Sequence, residues 1–321
     1  MPDVSVIIPT FNRLWSLSKA VESCRGTRCA TEIIVVDDGS TDGTWAWLQT
    51  QQDVVSIRQN NWGKDWAVNA GFELAQGRFI RFLDSDDWIL PLCIDAQFAL
   101  ASRENSDVVV GGYEVFDESE QLMRRQGWVN CDDFVAQQLG ECDSSHYGAY
   151  LFRRDFIADI PHRPEFGAMD DRLFVIEVAI ADPKVSIFPE PTIALRHHFQ
   201  ERLQFPRGLR ATVNHFHFLM ILKKTLTLLA SRGELNQRRA RAAINWLWPL
   251  AHWIAYTHLD EACDVVRWIY ELDPDFRPSD AGPLGWLYRQ LGFRRTERIV
   301  KVWRPFRGLA RTLGRISGPQ S

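Results

Sequence analysis

The sequence predicts an α/β fold, a mostly parallel sheet with helices on both faces, followed by a separate α-helical region. Three observations carry this. Short β-branched runs alternate with helical apolar patterns as far as Tyr113. The clearest of these runs end in proline, aspartate or other turn-forming residues, as buried strands do at a ligand-binding edge. From about Phe205 onward every periodic segment has helical spacing, and no run reads as a strand.

The elements follow in order. Residues 4–9, Val-Ser-Val-Ile-Ile-Pro, form a first buried strand ended by proline, and residues 14–25 carry a helical apolar pattern. Residues 32–37, Glu-Ile-Ile-Val-Val-Asp, are a second buried strand. The turn cluster 38–43 and a helix around 44–50 come next. A short third strand is expected at 54–58, a helix at 66–75, a fourth strand at 79–83 and another at 107–113. Strands alternating with helices imply right-handed crossovers and parallel pairing. Helices are expected at 209–231, 234–257, 260–272 and 296–313. The domain boundary is placed at 204/205, giving a catalytic domain of residues 1–204 and a helical, basic, Trp-rich region of 205–321.

Charge supports that division. Residues 1–200 hold 17 Lys and Arg against 31 Asp and Glu, a net of −14, whereas residues 201–321 hold 20 against 10, a net of +10. The six cysteines lack Cys-x-x-Cys spacing, which argues against a zinc cluster and for reduced, structural thiols. Met-Pro-Asp leads straight into a strand without a basic n-region, and no apolar span approaches the ~20 residues a bilayer needs. The expected location is the cytoplasm, with possible peripheral contact at the cytoplasmic membrane face.

The chemistry gathers at strand ends. Phe-Leu-Asp-Ser-Asp-Asp-Trp places Asp84, Asp86 and Asp87 directly after the fourth strand. Two acids one residue apart can hold a hard divalent cation, and such a cation can grip a diphosphate. Pro9, Thr10, Phe11, Asn12 and Arg13 end the first strand, where Phe11 can stack and Thr10 can hydrogen-bond a base; the same residues also fit a plain strand-to-helix turn. Asp37-Asp38-Gly39-Ser40 can accept from an imide or a ribose hydroxyl, or equally form an Asx turn with a helix cap. Gly63 and Lys64 precede Ala67-x-Asn69-x-Gly71, so that Lys64 can face a phosphate. This is no Walker loop, because Arg58 stands where the earlier glycine is required. Nor does a Gly-x-Gly-x-x-Gly element follow the first strand.

In order and spacing, these four motifs resemble the family 2 glycosyltransferases of GT-A fold, densely over residues 4–91, thinly to about 200 and not beyond. The resemblance implies donor-binding positions at Pro9, Thr10, Phe11, Arg13, Asp37, Asp38, Gly63, Lys64, Asn69, Asp84 and Ser85. It implies that Asp86 ligates Mn²⁺ or Mg²⁺. Inverting members place a base after the acceptor loop, often in a Glu-Asp pair. Here Asp170 replaces the glutamate, Asp171 takes the base role and Asp170 is the runner-up. Arg196-His197-His198 resembles a late Arg-x-His element that brings His198, with His197 as rival, to the metal or diphosphate.

The expected activity is inverting, metal-dependent transfer from a nucleotide-sugar, UDP-linked by expectation, to a saccharide or lipid-linked saccharide acceptor in surface or exopolysaccharide synthesis. Transfer to a polyprenyl phosphate, a silent nucleotide-sugar-binding scaffold and a nucleotidyltransferase are the alternatives. Residues 289–315 hold nine Arg and Lys against Glu297, with an apolar stripe through Ile299, Val302, Trp303 and Phe306. Residues 289–316 can thus lie on an anionic membrane or pack on their own domain. No nucleic-acid reader motif accompanies this charge.

Overall fold

The computed structural model describes the backbone of residues 1–198 and 208–313, and the side chains of 1–198 and 208–301. The chain divides into two compact units. One comprises residues 1–138 and 142–205, the other residues 139–141 and 206–321.

The first unit is built on one nine-stranded sheet. Its strands are β1 (Val4–Thr10), β2 (Thr31–Asp37), β3 (Val54–Arg58), β4 (Phe79–Phe82), β5 (Trp88–Ile89), β6 (Val108–Phe116), β7 (Leu122–Gln126), β8 (Leu151–Arg153) and β9 (Val185–Arg196). The spatial order is β3-β2-β1-β4-β8-β6-β9-β5, and β7 pairs with β6. Pairing among β1–β4 is parallel throughout, with Val4 beside Thr31 and Phe79, and Thr10 beside Asp37. Beyond β4 the sheet is mixed: β8 runs antiparallel to β4 and β6, β5 antiparallel to β9, while β6 and β9 run parallel. The sequence exposed the parallel half because β1, β2 and β4 are largely buried and read as apolar runs, while β3 lies at the sheet edge and is half exposed. All seven residues of β1 and all four of β4 are buried. Each fully covered Ile, such as Ile7 or Ile8, contributes roughly 1.5–3 kcal/mol.

Helices α1 (Leu14–Glu22), α2 (Thr44–Leu48), α3 (Lys64–Leu74), α4 (Cys93–Glu104), α5 (Phe134–Gln138), α6 (Arg154–Ile157) and α7 (Asp170–Ile180) complete this unit. Helix α3 lies close on β1 through the small residues Ala67 and Gly71; a Cβ at Gly71 would come within 2.5 Å of Ile7 Cγ2. Its start is set by Gly63 at φ 107°, a conformation that glycine adopts without steric cost. Helix α7 begins after a break at Gly167 (φ 49°, ψ −129°), which turns the chain so that Asp170 and Asp171 open the helix.

The second unit holds α8 (Leu209–Ser231), α9 (Gln237–Ala255), α10 (Leu259–Leu272) and α11 (Gly282–Leu313). Helix α9 starts at Asn236, whose side chain accepts from the Arg239 N–H, and it accommodates Pro249 internally. Its buried stripe of Ala243, Leu247, Leu250, Ala251 and Ile254 has the 3.6-residue period of an amphipathic helix. A polar knot is buried among these helices: the Tyr288 hydroxyl donates to Glu297, His252 Nδ1 sits 2.6 Å from the same carboxylate, and Trp248 Nε1 donates to Asp280. Helix α11 breaks at Gly292 (φ 73°). The expected membrane-facing stripe lies beyond Ile299 outside the residues whose side chains are described, and its last residues, 314–316, lie outside the described residues altogether. Among the described residues no helix is long and apolar enough to cross a membrane.

Candidate active site

The site forms where β1, β2 and β4 end on the same edge of the parallel sheet. The register that pairs Thr10 with Asp37 brings the first two motifs together, and the Asp38 N–H donates to Thr10 O at 2.8 Å. Among the described residues Thr10 Oγ1 is buried without a hydrogen-bond partner, and buried Asp37 Oδ2 has Arg58 Nε at 3.3 Å. Buried polar atoms of this kind are costly unless a ligand satisfies them. Phe11 is exposed beside them, and Asn12 Oδ1 accepts from Thr41 N to close the loop.

Two of the expected donor contacts are engaged in building the site. Asp38 is buried, its Oδ1 accepts from Gln59 Nε2 (2.7 Å) and Trp62 N (2.9 Å), and its Oδ2 accepts from Gly63 N (2.9 Å). It therefore clamps the 59–63 loop onto β2 and fixes the start of α3. Asn69 uses both ends of its amide on one residue, accepting from His162 N at 3.0 Å and donating to His162 O at 2.9 Å.

The clamp delivers Lys64 to the centre. Its Nζ lies 2.7 Å from Asp84 Oδ1 and 2.8 Å from Asp171 Oδ2, and 5.8 Å from the Tyr147 ring centroid. Burial works against the ammonium charge, but Asp171 and Asp84 outweigh it and hold Lys64 well above the usual lysine value. The acid of the donor motif and the expected base therefore share one cation.

Asp170 and Asp171 are adjacent in sequence and differ in every other respect. Asp170 is fully buried; Oδ1 accepts from Arg163 N at 2.6 Å, and Oδ2 is hydrogen-bonded to His162 Nδ1. His162 passes this contact to the Tyr147 hydroxyl at 2.7 Å and stacks on Phe174 at 4.4 Å. The Asp171 side chain retains partial exposure and its Oδ2 meets Lys64, while its Oδ1 is buried with no hydrogen-bond partner among the described residues. Burial pushes its carboxyl up, but the charges of Lys64 and His162 prevail and keep it below the ordinary carboxylate range. Asp171 is thus ionised and has an oxygen to offer, whereas Asp170 has both oxygens committed.

The acidic turn after β4 meets the end of β9. Pairing of Trp88 with Ala194 brings Arg196 N to Asp87 Oδ1 (2.8 Å) and His198 Nε2 to Asp86 Oδ2 (3.0 Å). His198 is buried against Asp86, with Trp15 edge-on at 5.1 Å; His197 is exposed. Burial pushes Asp86 up, and the His198 hydrogen bond together with the Arg13 charge brings it below the usual value. Ser85 is buried, and its carbonyl accepts from Ser16 Oγ.

Asp86 and His198 could each offer a ligand atom to a divalent cation; those atoms stand 3.0 Å apart and are hydrogen-bonded to each other here, close to the about 3.0 Å between adjacent ligands on an octahedral ion at ~2.1 Å. A second group, Asp84, Asp87 and His146, brings three ligand atoms within 4.8 Å of one another. His146 and Tyr147 were not singled out from sequence, because residues 128–150 have no readable period, and His162 falls in none of the motifs.

This edge, with Thr10 and Asp37 at the ends of β1 and β2 and an Asp-x-Asp turn after β4, lies in a GT-A type fold. Residues 5–160 match the family described as Glycosyl transferase family 2. Those residues, just under half of the chain, carry the domain of that family. Among its relatives, the chain is 33% identical over 142 residues to glycosyltransferase GlyG of Streptococcus pneumoniae, covering 42% of this chain and 46% of that protein. Over 228 residues it is 28% identical to a glycosyltransferase, EpsH, of Bacillus subtilis, covering 63% of each. It is 30% identical over 120 residues to WfgD of Escherichia coli, named a UDP-Glc:α-D-GlcNAc-diphosphoundecaprenol β-1,3-glucosyltransferase, covering 36% of this chain and 47% of that protein. The chain thus spans less than two thirds of the length of these relatives. In fold it resembles residues 1–349 of Staphylococcus aureus TarS, solved with UDP-GlcNAc, at a TM-score of 0.66 and 17% identity over 94% of this chain and 91% of that one.

Proposed function

We propose that this chain transfers a sugar from a nucleotide-sugar, with inversion, to a hydroxyl of a saccharide or lipid-linked saccharide acceptor in surface polysaccharide synthesis. The observation that carries the reading is the arrangement around Lys64: Asp84 of the donor motif and the ionised Asp171 lie within reach of the same ammonium. Thr10, Asp37 and Phe11 receive the nucleoside, with Arg13 near the acidic turn. Asp86 and His198 would hold Mn²⁺ or Mg²⁺, which supplies charge stabilisation to the leaving diphosphate. Asp171 accepts the proton of the acceptor hydroxyl as that oxygen attacks the anomeric carbon from the side opposite the diphosphate. One displacement inverts the centre.

UDP-sugars are the first donors to test, since the names of WfgD and of the TarS complex carry UDP-Glc and UDP-GlcNAc. The saccharide acceptor is favoured because WfgD is named for a diphosphoundecaprenol-linked GlcNAc. The test is donor binding and hydrolysis across UDP-, GDP-, dTDP- and CMP-sugars, with Mn²⁺ and with chelator, on wild type and Asp171→Asn. Metal-dependent selection of one donor, with turnover lost and nucleotide affinity kept in the variant, is expected. Wild-type turnover in Asp171→Asn would remove that residue from the base role. A folded wild type that binds no donor would refute the activity.

A further inference from the structure

Lys64 is placed as no ordinary surface lysine is. It starts α3, its amide-side neighbours are pinned by Asp38, and its ammonium is spent on two carboxylates of different motifs. The two acids come from elements far apart in sequence, β4 and α7, so the lysine is the charge that lets them stand together. Without it, two partly buried carboxylates would share a site and repel.

We propose that Lys64 is a catalytic residue that masks Asp171 until donor arrives, and that the diphosphate draws its ammonium away and so frees the base. This rests on the nucleotide-sugar reading above. An ammonium carries three N–H donors on a flexible four-carbon stem, so it can change partners without movement of the backbone. A diphosphate concentrates more negative charge than either carboxylate and competes for that ammonium. While Lys64 holds Asp171 Oδ2, the carboxylate is a weak base, and its Oδ1, without a partner among the described residues, is buried. Once Lys64 turns to the phosphates, Asp171 loses its nearest positive charge and becomes a stronger base at the moment an acceptor can use it. Until then Asp171 has little capacity to activate water.

The other charged groups facing Asp171 support this order of events. His162 is held by Asp170 and Tyr147, and Asp170 by Arg163 N, so neither is free to exchange partners. Burial outweighs the nearby carboxylates at His146 and keeps its imidazole below the usual histidine value. Buried Asp65 contributes like charge or a proton, not a cation. Arg172 on α7 also has a charge interaction with Asp171, but its guanidinium donates to Ser144 Oγ at 3.1 Å; among the described residues Lys64 is the cation in direct contact with the Asp171 carboxylate.

The test is the Asp171 carboxyl titration followed by ¹³C NMR in protein labelled at aspartate Cγ, with the resonance assigned by its loss in Asp171→Asn. It is run without nucleotide and with saturating Mg²⁺ and whichever of UDP, GDP or dTDP calorimetry shows to bind. The expected result is a rise of at least about one pH unit on nucleotide binding, the size of shift set by an opposite charge at contact. Lys64→Met should already show the raised value without nucleotide and should change little on adding it. An unchanged or lowered wild-type value with nucleotide bound overturns the inference while leaving the donor reading intact. An equal nucleotide-dependent rise in wild type and Lys64→Met also overturns it, because the phosphate charge alone would then be the cause. If none of the nucleotides binds, both the donor reading and this inference fail.

Discussion

Asp38→Ala separates a residue that binds ligand from one that builds the site. In the structure Asp38 is 4% exposed and accepts three hydrogen bonds, two of them from the backbone N–H groups of Trp62 and Gly63. Truncation leaves those donors without a partner, at a cost of roughly 1–3 kcal/mol each, less where water can follow into the gap. A loss of about 2–4 kcal/mol is expected, which in a unit of this size lowers the melting temperature by roughly 5–15 °C. The assay is thermal unfolding by circular dichroism, joined to amide hydrogen exchange at Trp62 and Gly63, whose protection should fall by at least tenfold for each ~1.4 kcal/mol lost locally. Nucleotide affinity should drop too, because the start of α3 is no longer fixed. A variant that melts within a degree of wild type, retains protection at both amides and loses only nucleotide affinity would refute the clamp and return Asp38 to direct ligand contact.

Two further outcomes follow from the same geometry. Burial, then the charges of Asp170 and Asp171, push Asp65 up to about 8. Its folded value exceeds the unfolded one of about 3.9, so its contribution to stability is complete below about pH 4 and is lost as pH rises toward 8, by at most about 1.4 kcal/mol per unit. Urea unfolding of Asp65→Asn between about pH 5 and 8 should show a flatter slope than wild type; equal slopes would mean that Asp65 is ionised throughout. At the acidic turn, Asp86→Ala removes one of the two proposed metal-ligand atoms, which lie 3.0 Å apart. It should weaken Mn²⁺-dependent nucleotide binding by an order of magnitude or more, about 1.4 kcal/mol. Unchanged affinity would direct attention to the Asp84, Asp87 and His146 group instead.

How much of this was legible depended on the period of each segment. Strands β1, β2 and β4 are largely buried apolar runs, β3 is a half-exposed edge strand marked by its β-branched residues, and the sequence alone placed all four within a residue or two. Helix α8 runs over the expected residues 209–231 for the same reason, since its apolar stripe spans many turns. Strands β5 and β8 have two and three residues, too few for any period to show, and their antiparallel pairing converts the mostly parallel sheet to a mixed one. The residue types at the site were equally legible: Asp84, Asp86, Asp171, Lys64 and His198 stand out as groups capable of this chemistry.

Their partners were not, because a carboxylate has the same letters whether it faces an amide, an imidazole, an ammonium or a ligand. The sequence by itself determined the family, the parallel half-sheet and the acids delivered to its edge, since each follows from local pattern and order. Tertiary structure alone decided that Asp38 and Asn69 hold loops, that Asp170 is committed to His162 while Asp171 keeps a partnerless oxygen, and that Lys64 joins β4 to α7. Those outcomes depend on which groups from distant segments meet at hydrogen-bond distance, and that is fixed by strand register and helix packing rather than by any neighbour in the chain.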